Sequence, residues 1–477
     1  MPTDPILLAF DERRRRGADL IVVARRHQAS VDDVERMARA AGRQLERAAL
    51  AAGSVVGLLA SNGPGFLAAL VALRRAACAA LLFDARTPPA AGERAAEALG
   101  AAATLTCRRA WPHEEDDFCV APVAAGVAAV LPPEIAVVKL TSGSTGEPRG
   151  ILTPSAALVA DDAALAATMG LAEDERILAA IPLSHSYGLS SVALPALMRR
   201  TVLIVPETRD PLDPMRLARE QEATFLPTVP AYLQGLVRMA APPRPPASLR
   251  LVVSAGAPLK PCAAARFREL YERPVHVFYG ASECGGITFD RDGSAGEHGT
   301  LGRSVAGVDV ALEPETDGGE RGTVVVASAA VAAGYFPTPD PRLDGGRFRT
   351  SDVGRWLGGE LVLEGRLDDL INVRGKKVNP REIDAVLARL EGVDEVVTLG
   401  VTLPGQDGMI VRSFVACRPG RLSYETVHAW CRRHLAEHKV PRSIVLLAEI
   451  PRTARGKLDR GALLAIETHG RPIPSGV

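Results

Sequence analysis

The stretch Thr141-Ser142-Gly143-Ser144-Thr145-Gly146-Glu147-Pro148-Arg149-Gly150 follows directly on the apolar run Ala136-Val137-Val138-Lys139-Leu140. A strand that empties into glycines and hydroxyls offers backbone N–H groups and side-chain hydroxyls to an anion, and Arg149 adds positive charge. The same composition suits a flexible turn, but the loop's length and its place behind a strand favour a phosphate. It is not a Walker A loop, because no Gly-Lys-Ser or Gly-Lys-Thr follows at the required spacing. Lysine use is the second signal. The chain takes arginine for most of its cations and keeps lysine only at Lys139, Lys260, Lys376, Lys377, Lys439 and Lys457. Lys457 sits among Arg452, Arg455 and Arg460. An ammonium kept among guanidiniums invites a chemical reason, although a surface lysine in a loop is the plain alternative.

Further motifs follow in a fixed order, and together they resemble the adenylate-forming superfamily: acyl- and aryl-CoA synthetases, peptide-synthetase adenylation domains and luciferases. The Thr141–Gly150 loop is similar to that family's phosphate-binding signature. Ile181-Pro182-Leu183-Ser184-His185-Ser186-Tyr187-Gly188-Leu189 resembles the segment bordering the acyl pocket. Ser254-Ala255-Gly256-Ala257-Pro258-Leu259 resembles the adenine-contacting turn, and Tyr279-Gly280-Ala281-Ser282-Glu283 the element after it. Arg349-Thr350-Ser351-Asp352-Val353-Gly354 resembles a ribose-binding turn. Gly365-Arg366, with Arg374-Gly375-Lys376-Lys377-Val378-Asn379-Pro380, resembles the hinge and the loop beyond it, and Pro451 to Arg460 the lysine motif. The match runs from about 55 to 461, and chance co-occurrence of so many ordered motifs is negligible.

This resemblance implies ATP-dependent activation of a small-molecule carboxylic acid to an acyl-adenylate, with release of pyrophosphate, and then acyl transfer to the thiol of coenzyme A. A carboxylate is a poor electrophile and must approach a polyanion, so cations and dipoles have to face the pentavalent transition state. Carried over residue by residue, Glu283 is the expected Mg2+ ligand, Ser282 contacts the α-phosphate, and Tyr279 stacks on adenine. Gly256, Ala257, Pro258 and Gly280 line the nucleotide. Asp352 and Arg366 hold the ribose, and Lys457 bridges carboxylate and α-phosphate. The acyl pocket is assigned to His185, Tyr187, Ser191, Ala255, Gly280, Ala281 and Gly285, whose small size hints at an apolar or aromatic acid. The hinge is Asp368, and Arg374, Gly375 and Lys376 form the thiol tunnel after the C-terminal domain rotates. The alternative acceptor is the phosphopantetheine of a separate acyl or peptidyl carrier protein. No carrier domain is expected in the chain itself, since only about twenty residues follow Lys457. A non-catalytic nucleotide- or acyl-binding protein is a third reading, against which Glu283, Asp352 and Lys457 speak.

Each residue also has a plain explanation. Asp352 could simply form a Ser-Asp-Val-Gly turn, Glu283 could be a loop acid, and His185 a satisfied buried histidine. Cys284 reads as pocket wall. No nucleophile elbow with His and Asp partners supports covalent catalysis. The chain departs from the family pattern at Glu147 and Arg149, where lysine is common, and at Pro154. The region before residue 55 looks abbreviated.

Strands are needed to hold these loops. From about residue 54 short apolar runs alternate with helical patterns. Strands are expected at 55–60, 80–84, 136–141, 176–181, 201–205, 224–229, 249–254 and 275–279, with helices at 64–76 and 89–98. That alternation predicts an α/β fold with largely parallel sheets and ligands at the carboxyl ends of strands. After about 300, Gly- and Asp-rich turns separate short strands, a β-rich subdomain. Beyond Gly365 a small α+β domain is expected, with helices at 380–390 and 423–437 and strands at 394–402, 410–417 and 443–448. The domains are therefore 1–367, the large nucleotide-binding part, and 368–477, a mobile C-terminal part.

The composition sets outer bounds. With 477 residues, 47% of them hydrophobic, the chain can bury a large core. Lys+Arg and Asp+Glu both total 56, which gives no reason to expect nucleic acid. Seven cysteines without a C-x-x-C pair argue for reduced thiols. No basic n-region leads into an apolar segment, and no run approaches a membrane span, so a cytoplasmic location is expected.

Overall fold

The apolar runs become the inner strands of two sheets, and polar loops gather at their carboxyl ends. The computed structural model describes residues 4–466 apart from 18, 124–127, 143–147, 209, 211, 315–319, 370, 374–375, 403–408 and 454–457. The chain divides into two units. The first comprises Met1–Ala311, Val325–Thr350 and Trp356–Val362; the second comprises Leu312–Val324, Ser351–Arg355 and Leu363–Val477.

In the first unit a nine-stranded sheet runs, in spatial order, Arg303–Ser304, Gly285–Phe289, His276–Ala281, Leu251–Ser254, Phe225–Thr228, Arg176–Leu178, Val202–Ile204, Leu20–Val23 and Gln28–Ser30. Its interior pairs are parallel, with Phe225 opposite Leu251 and Val253 opposite His276, and its margins are antiparallel. A seven-stranded sheet is ordered Gly334–Phe336, Pro148–Pro154, Ile135–Ser142, Ala79–Phe83, Val55–Leu59, Ala103–Cys107 and Phe118–Pro122. Its central strands are covered on both faces, which explains why they read as unbroken apolar runs: Val55, Val56, Leu58, Ala80 and Leu81 are fully buried. Pro148–Pro154 returns antiparallel on Ile135–Ser142, with Thr141 opposite Arg149, so this hairpin holds both ends of the Gly-rich loop.

The expected helices form at Pro64–Arg75, started by a proline that needs no N–H partner, and at Pro89–Ala98. In the second unit, helices Pro380–Leu387 and Tyr424–His434 are capped by Asn379 and Ser423. They pack Ile383, Leu387, Val427 and Cys431 against Val411 and Val415 of a three-stranded sheet, Glu395–Val401, Ile410–Ala416 and Ser443–Leu447. The fold is thus α/β with a smaller α+β part, as the alternation predicted.

One expectation is overturned. Ser351-Asp352-Val353-Gly354 is not a turn but the middle of an eleven-residue strand, Arg347–Leu357. The reason is burial: Phe348, Thr350, Ser351 and Val353 are buried while Arg349, Asp352 and Arg355 stay half-exposed. The strands Leu20–Val23, Gln28–Ser30, Ala103–Cys107, Phe118–Pro122 and Gly334–Phe336 were not anticipated. Among the described residues no helix is long and apolar enough to cross a membrane.

Candidate active site

The residues Ser282, Glu283 and Cys284 form a tight connection between His276–Ala281 and Gly285–Phe289 at the end of the nine-stranded sheet. Two glycines make that connection possible. Gly280 approaches the Gly285 carbonyl so closely that a Cβ would collide with it. Gly285 adopts φ 69°, and a Cβ there would overlap the Asp161 carboxylate. Asp161, from the helix Ser155–Met169, accepts the Gly286 N–H at 2.9 Å. From the other side Lys139 Nζ donates to the Ser282 carbonyl at 3.1 Å. Both charges are buried, Lys139 at 5% and Asp161 at 3% exposure. Burial pushes the Lys139 ammonium down and the Asp161 carboxyl up, while their mutual attraction opposes both shifts. The Cys284 thiol is fully buried and pushed well above its ordinary value by that burial, which leaves it inert.

The two side chains of the connection point to defined partners. Ser282 Oγ accepts from Ser186 Oγ at 2.7 Å. Glu283 Oε1 accepts the Tyr335 hydroxyl at 2.9 Å. Burial, and then the neighbouring Glu283 charge, raise the Tyr335 phenol, so it stays protonated and donates. The Arg149 guanidinium lies 3.7 Å from the Tyr335 ring centroid, and it bonds Asp340 Oδ2 at 3.1 Å and the Thr338 carbonyl at 3.2 Å. Arg149 is therefore engaged inside the protein rather than extended towards the loop it follows. Hydrogen bonds from Arg342, and then Arg149, hold Asp340 well below the usual carboxylate range.

The segment around His185 closes one side. His185 Nε2 lies 3.0 Å from Asp84 Oδ2. His185, and then Arg86, keep the buried Asp84 carboxylate far below its usual range. Tyr187 donates its hydroxyl to the Val253 carbonyl at 3.0 Å and tilts against Phe278, ring centroids 5.7 Å apart. Gly188 passes against the Pro182 carbonyl, leaving no room for a side chain. A π-helical turn, Leu189–Ala193, then buries Ser191, whose Oγ has no partner among the described residues. At the carboxyl end of Leu251–Ser254, Ala255 is buried, whereas Gly256, Ala257 and Pro258 are exposed, with Gly256 at φ 83°.

Thus Arg149, His185, Ser282, Glu283, the Gly256–Pro258 turn and the exposed Gly280 all belong to the first unit, most of them at strand ends, where this fold class places ligands. Thr141, Tyr279 and Ala281 are half-exposed there. In the second unit Arg366 Nε lies 3.7 Å from Asp352 Oδ1, an ion-pair distance too long for a hydrogen bond. Gly143, Ser144, Thr145, Gly146, Glu147, Arg374, Gly375 and Lys457 lie outside the described residues, as do the side chains of Ser142, Asp368 and Lys376. Sequence reasoning missed Lys139, Asp161, Asp84 and Tyr335 as parts of this constellation. Only Lys139 left a signal, a lone cation inside the apolar run 136–140. The others are joined to their partners by contacts 52 or more residues away along the chain.

Comparison with known proteins shows what the chain is similar to. The AMP-binding enzyme family model matches residues 10–336, and the AMP-binding enzyme C-terminal domain model matches 382–457. The chain is 32% identical over 353 residues to a methyl-dioxo-octahydroindenyl-propanoyl:CoA ligase of Mycobacterium tuberculosis, covering 72% of this chain and 68% of that protein. It is 30% identical over 344 residues to a feruloyl-CoA synthase of Amycolatopsis, covering 69% of each. The match therefore spans about two thirds of these relatives. Among solved structures, ATP-bound MatB from Rhodopseudomonas palustris superposes with a TM-score of 0.81 at 21% identity, covering 97% of this chain and 98% of that one, and shares the fold. The amide bond synthetase McbA from Marinactinospora thermotolerans gives 0.79 at 25% identity, covering 96% and 99%.

Proposed function

The chain belongs to the AMP-binding enzyme family, and from that premise we propose how it works as an AMP-forming acid–thiol ligase. It joins a small-molecule carboxylic acid to ATP and passes the acyl group to coenzyme A. One observation carries the assignment of the site: the hairpin of the Gly-rich loop is tied to the Ser282–Glu283 connection, through Lys139 to the Ser282 carbonyl and through Arg149 and Tyr335 to the Glu283 carboxylate. The strands that carry the two ends of the loop are thereby tied to Ser282 and Glu283, which supports reading the loop as phosphate-binding and Glu283 as an oxygen ligand.

In the first step a carboxylate oxygen attacks the α-phosphorus, the bond to the β-phosphate breaks, and pyrophosphate leaves. The loop residues Thr141 to Gly146 cradle the phosphates with backbone N–H groups. Ser282 contacts the α-phosphate, Tyr279 stacks on adenine beside Gly256, Ala257, Pro258 and Gly280, and Asp352 with Arg366 takes the ribose. Lys457 screens the approaching anion from the α-phosphate. In the second step the thiol sulfur attacks the acyl carbon and AMP departs. Arg374, Gly375 and Lys376 line the thiol's path, and the domain boundary is placed at 367/368, with Asp368 as the hinge. The acid is read as apolar or aromatic, from the small residues Ala255, Gly280, Ala281 and Gly285 beside His185, Tyr187 and Ser191.

Magnesium fits the donor set, since its habit is one or two carboxylates with the remaining positions taken by water and substrate phosphates. Glu283 supplies that carboxylate, and no group of three His, Cys, Asp or Glu side chains competes among the described residues. Bound there, the ion would neutralise phosphate charge. Pyrophosphate release with a panel of carboxylic acids tests the reading: release only with particular acids, followed by thioester when coenzyme A is added, supports it. Release without any acid would contradict it, and thioester on a carrier protein but not on coenzyme A would transfer the second step to that acceptor.

A further inference from the structure

Tyr335 lies outside every motif that pointed to the site, yet three independent contacts converge on it. It occupies the middle of the edge strand Gly334–Phe336 and pairs with Ile151 of Pro148–Pro154, the strand that leaves the Gly-rich loop. Its ring carries the Arg149 guanidinium at 3.7 Å, and Arg149 is opposite Thr141 at the loop's base. Its hydroxyl donates to Glu283 Oε1 at 2.9 Å. The residue is buried, at 8% exposure. Arg149 is fixed in place by Asp340 and the Thr338 carbonyl, and Asp340 is in turn gripped by Arg342 at 2.8 Å.

We propose, building on Glu283 as the magnesium ligand, that Tyr335 is a positioning residue that holds this carboxylate in its metal-binding orientation and links it to the base of the phosphate loop through Arg149. The physical reasons are direct. A carboxylate that binds a metal needs its orientation set by a donor on the oxygen turned away from the ion. A phenol with a buried ring does this without adding charge. A guanidinium stacked on the ring is attracted to its π face and makes it rigid. Arg149 thus acts through Tyr335 and not as a phosphate ligand, which accounts for arginine at a position where a free lysine would reach for the nucleotide: a planar guanidinium stacks where an ammonium does not.

Tyr335→Phe keeps the ring, its packing and the Arg149 stack, and removes only the hydroxyl. The intact protein and this variant are titrated with Mn2+ in the presence of a non-hydrolysable ATP analogue, read by electron paramagnetic resonance. The Mg2+ dependence of pyrophosphate release and the melting temperature are recorded alongside. The half-saturating metal concentration is expected to rise about 10-fold in Tyr335→Phe, with nucleotide binding in metal-free buffer and the melting temperature close to those of the unchanged protein. Arg149→Lys, which keeps the charge but loses the stack, is expected to shift the metal curve in the same direction by a smaller factor. A Tyr335→Phe metal curve that superposes on that of the unchanged protein, while Glu283→Gln abolishes metal binding, overturns the role of Tyr335 and leaves Glu283 as ligand. Metal binding that survives Glu283→Gln overturns both.

Discussion

Replacing Lys139 by methionine should destabilise the first unit and loosen the Ser282–Glu283 connection together. The magnitude follows from burial. Lys139 is 5% exposed and Asp161 is 3% exposed, so removing the ammonium leaves a buried carboxylate without its countercharge. The two charges attract each other through space, and losing the charged hydrogen bond to the Ser282 carbonyl costs about 1.5–3 kcal/mol. Asp161 keeps its bond from the Gly286 N–H. Neutralising it as Asp161→Asn in the Lys139→Met background should therefore recover roughly 1–2 kcal/mol, because the carboxamide no longer carries the stranded charge. Urea unfolding reads both effects. With a slope of about 3 kcal/mol per molar, the single variant should lower the midpoint by roughly 0.5–1 M. A Lys139→Met midpoint within about 0.3 M of the parent, or no recovery in the double variant, would refute the assignment of Lys139 and Asp161 as a mutually compensating buried pair.

Lys457→Ala should slow adenylate formation by roughly 100- to 1,000-fold while sparing thioester formation from supplied acyl-adenylate; equal loss in both half-reactions, measured separately, would count against its role. Asp384 gives a pH signature. Burial raises its carboxyl from 3.8 to about 7, against opposing hydrogen bonds from Thr398. The folded chain then binds this proton more tightly than the unfolded chain, so its contribution is fully present below about pH 4 and is lost as pH rises through 7. Asp384→Asn should remove that slope and gain roughly 1–3 kcal/mol at pH 8 relative to pH 5, read by urea midpoints at the two pH values.

The sequence made the inner strands plain because burial on both faces writes an unbroken apolar run, as at Val55–Leu59 and Ala79–Phe83. Edges were harder. Leu20–Val23 lies between Gln28–Ser30 and the sequence-distant Val202–Ile204, with Val22 opposite Leu203, and it is this pairing on both sides that makes a strand of so short an apolar run. The site was legible where function demands residue types in fixed order, as in the run to Ser282 and Glu283. Supporting contacts such as Asp161 to Gly286 and Tyr335 to Glu283 were not, because they depend on which strands become neighbours. Asp352 shows the intermediate case: the sequence singles the residue out, but its Ser-Asp-Val-Gly context reads as a turn whereas it lies within the strand Arg347–Leu357, whose centre is largely buried.

The central claim is that the acid's own oxygen attacks the α-phosphorus of ATP. A carboxylic acid labelled with oxygen-18 in both carboxylate positions, once identified as a substrate, tests it in a single turnover with coenzyme A. Mass spectrometry of the products should find one labelled oxygen in AMP and none in pyrophosphate. Label in orthophosphate or pyrophosphate, or thioester formed with unlabelled AMP, would contradict the account.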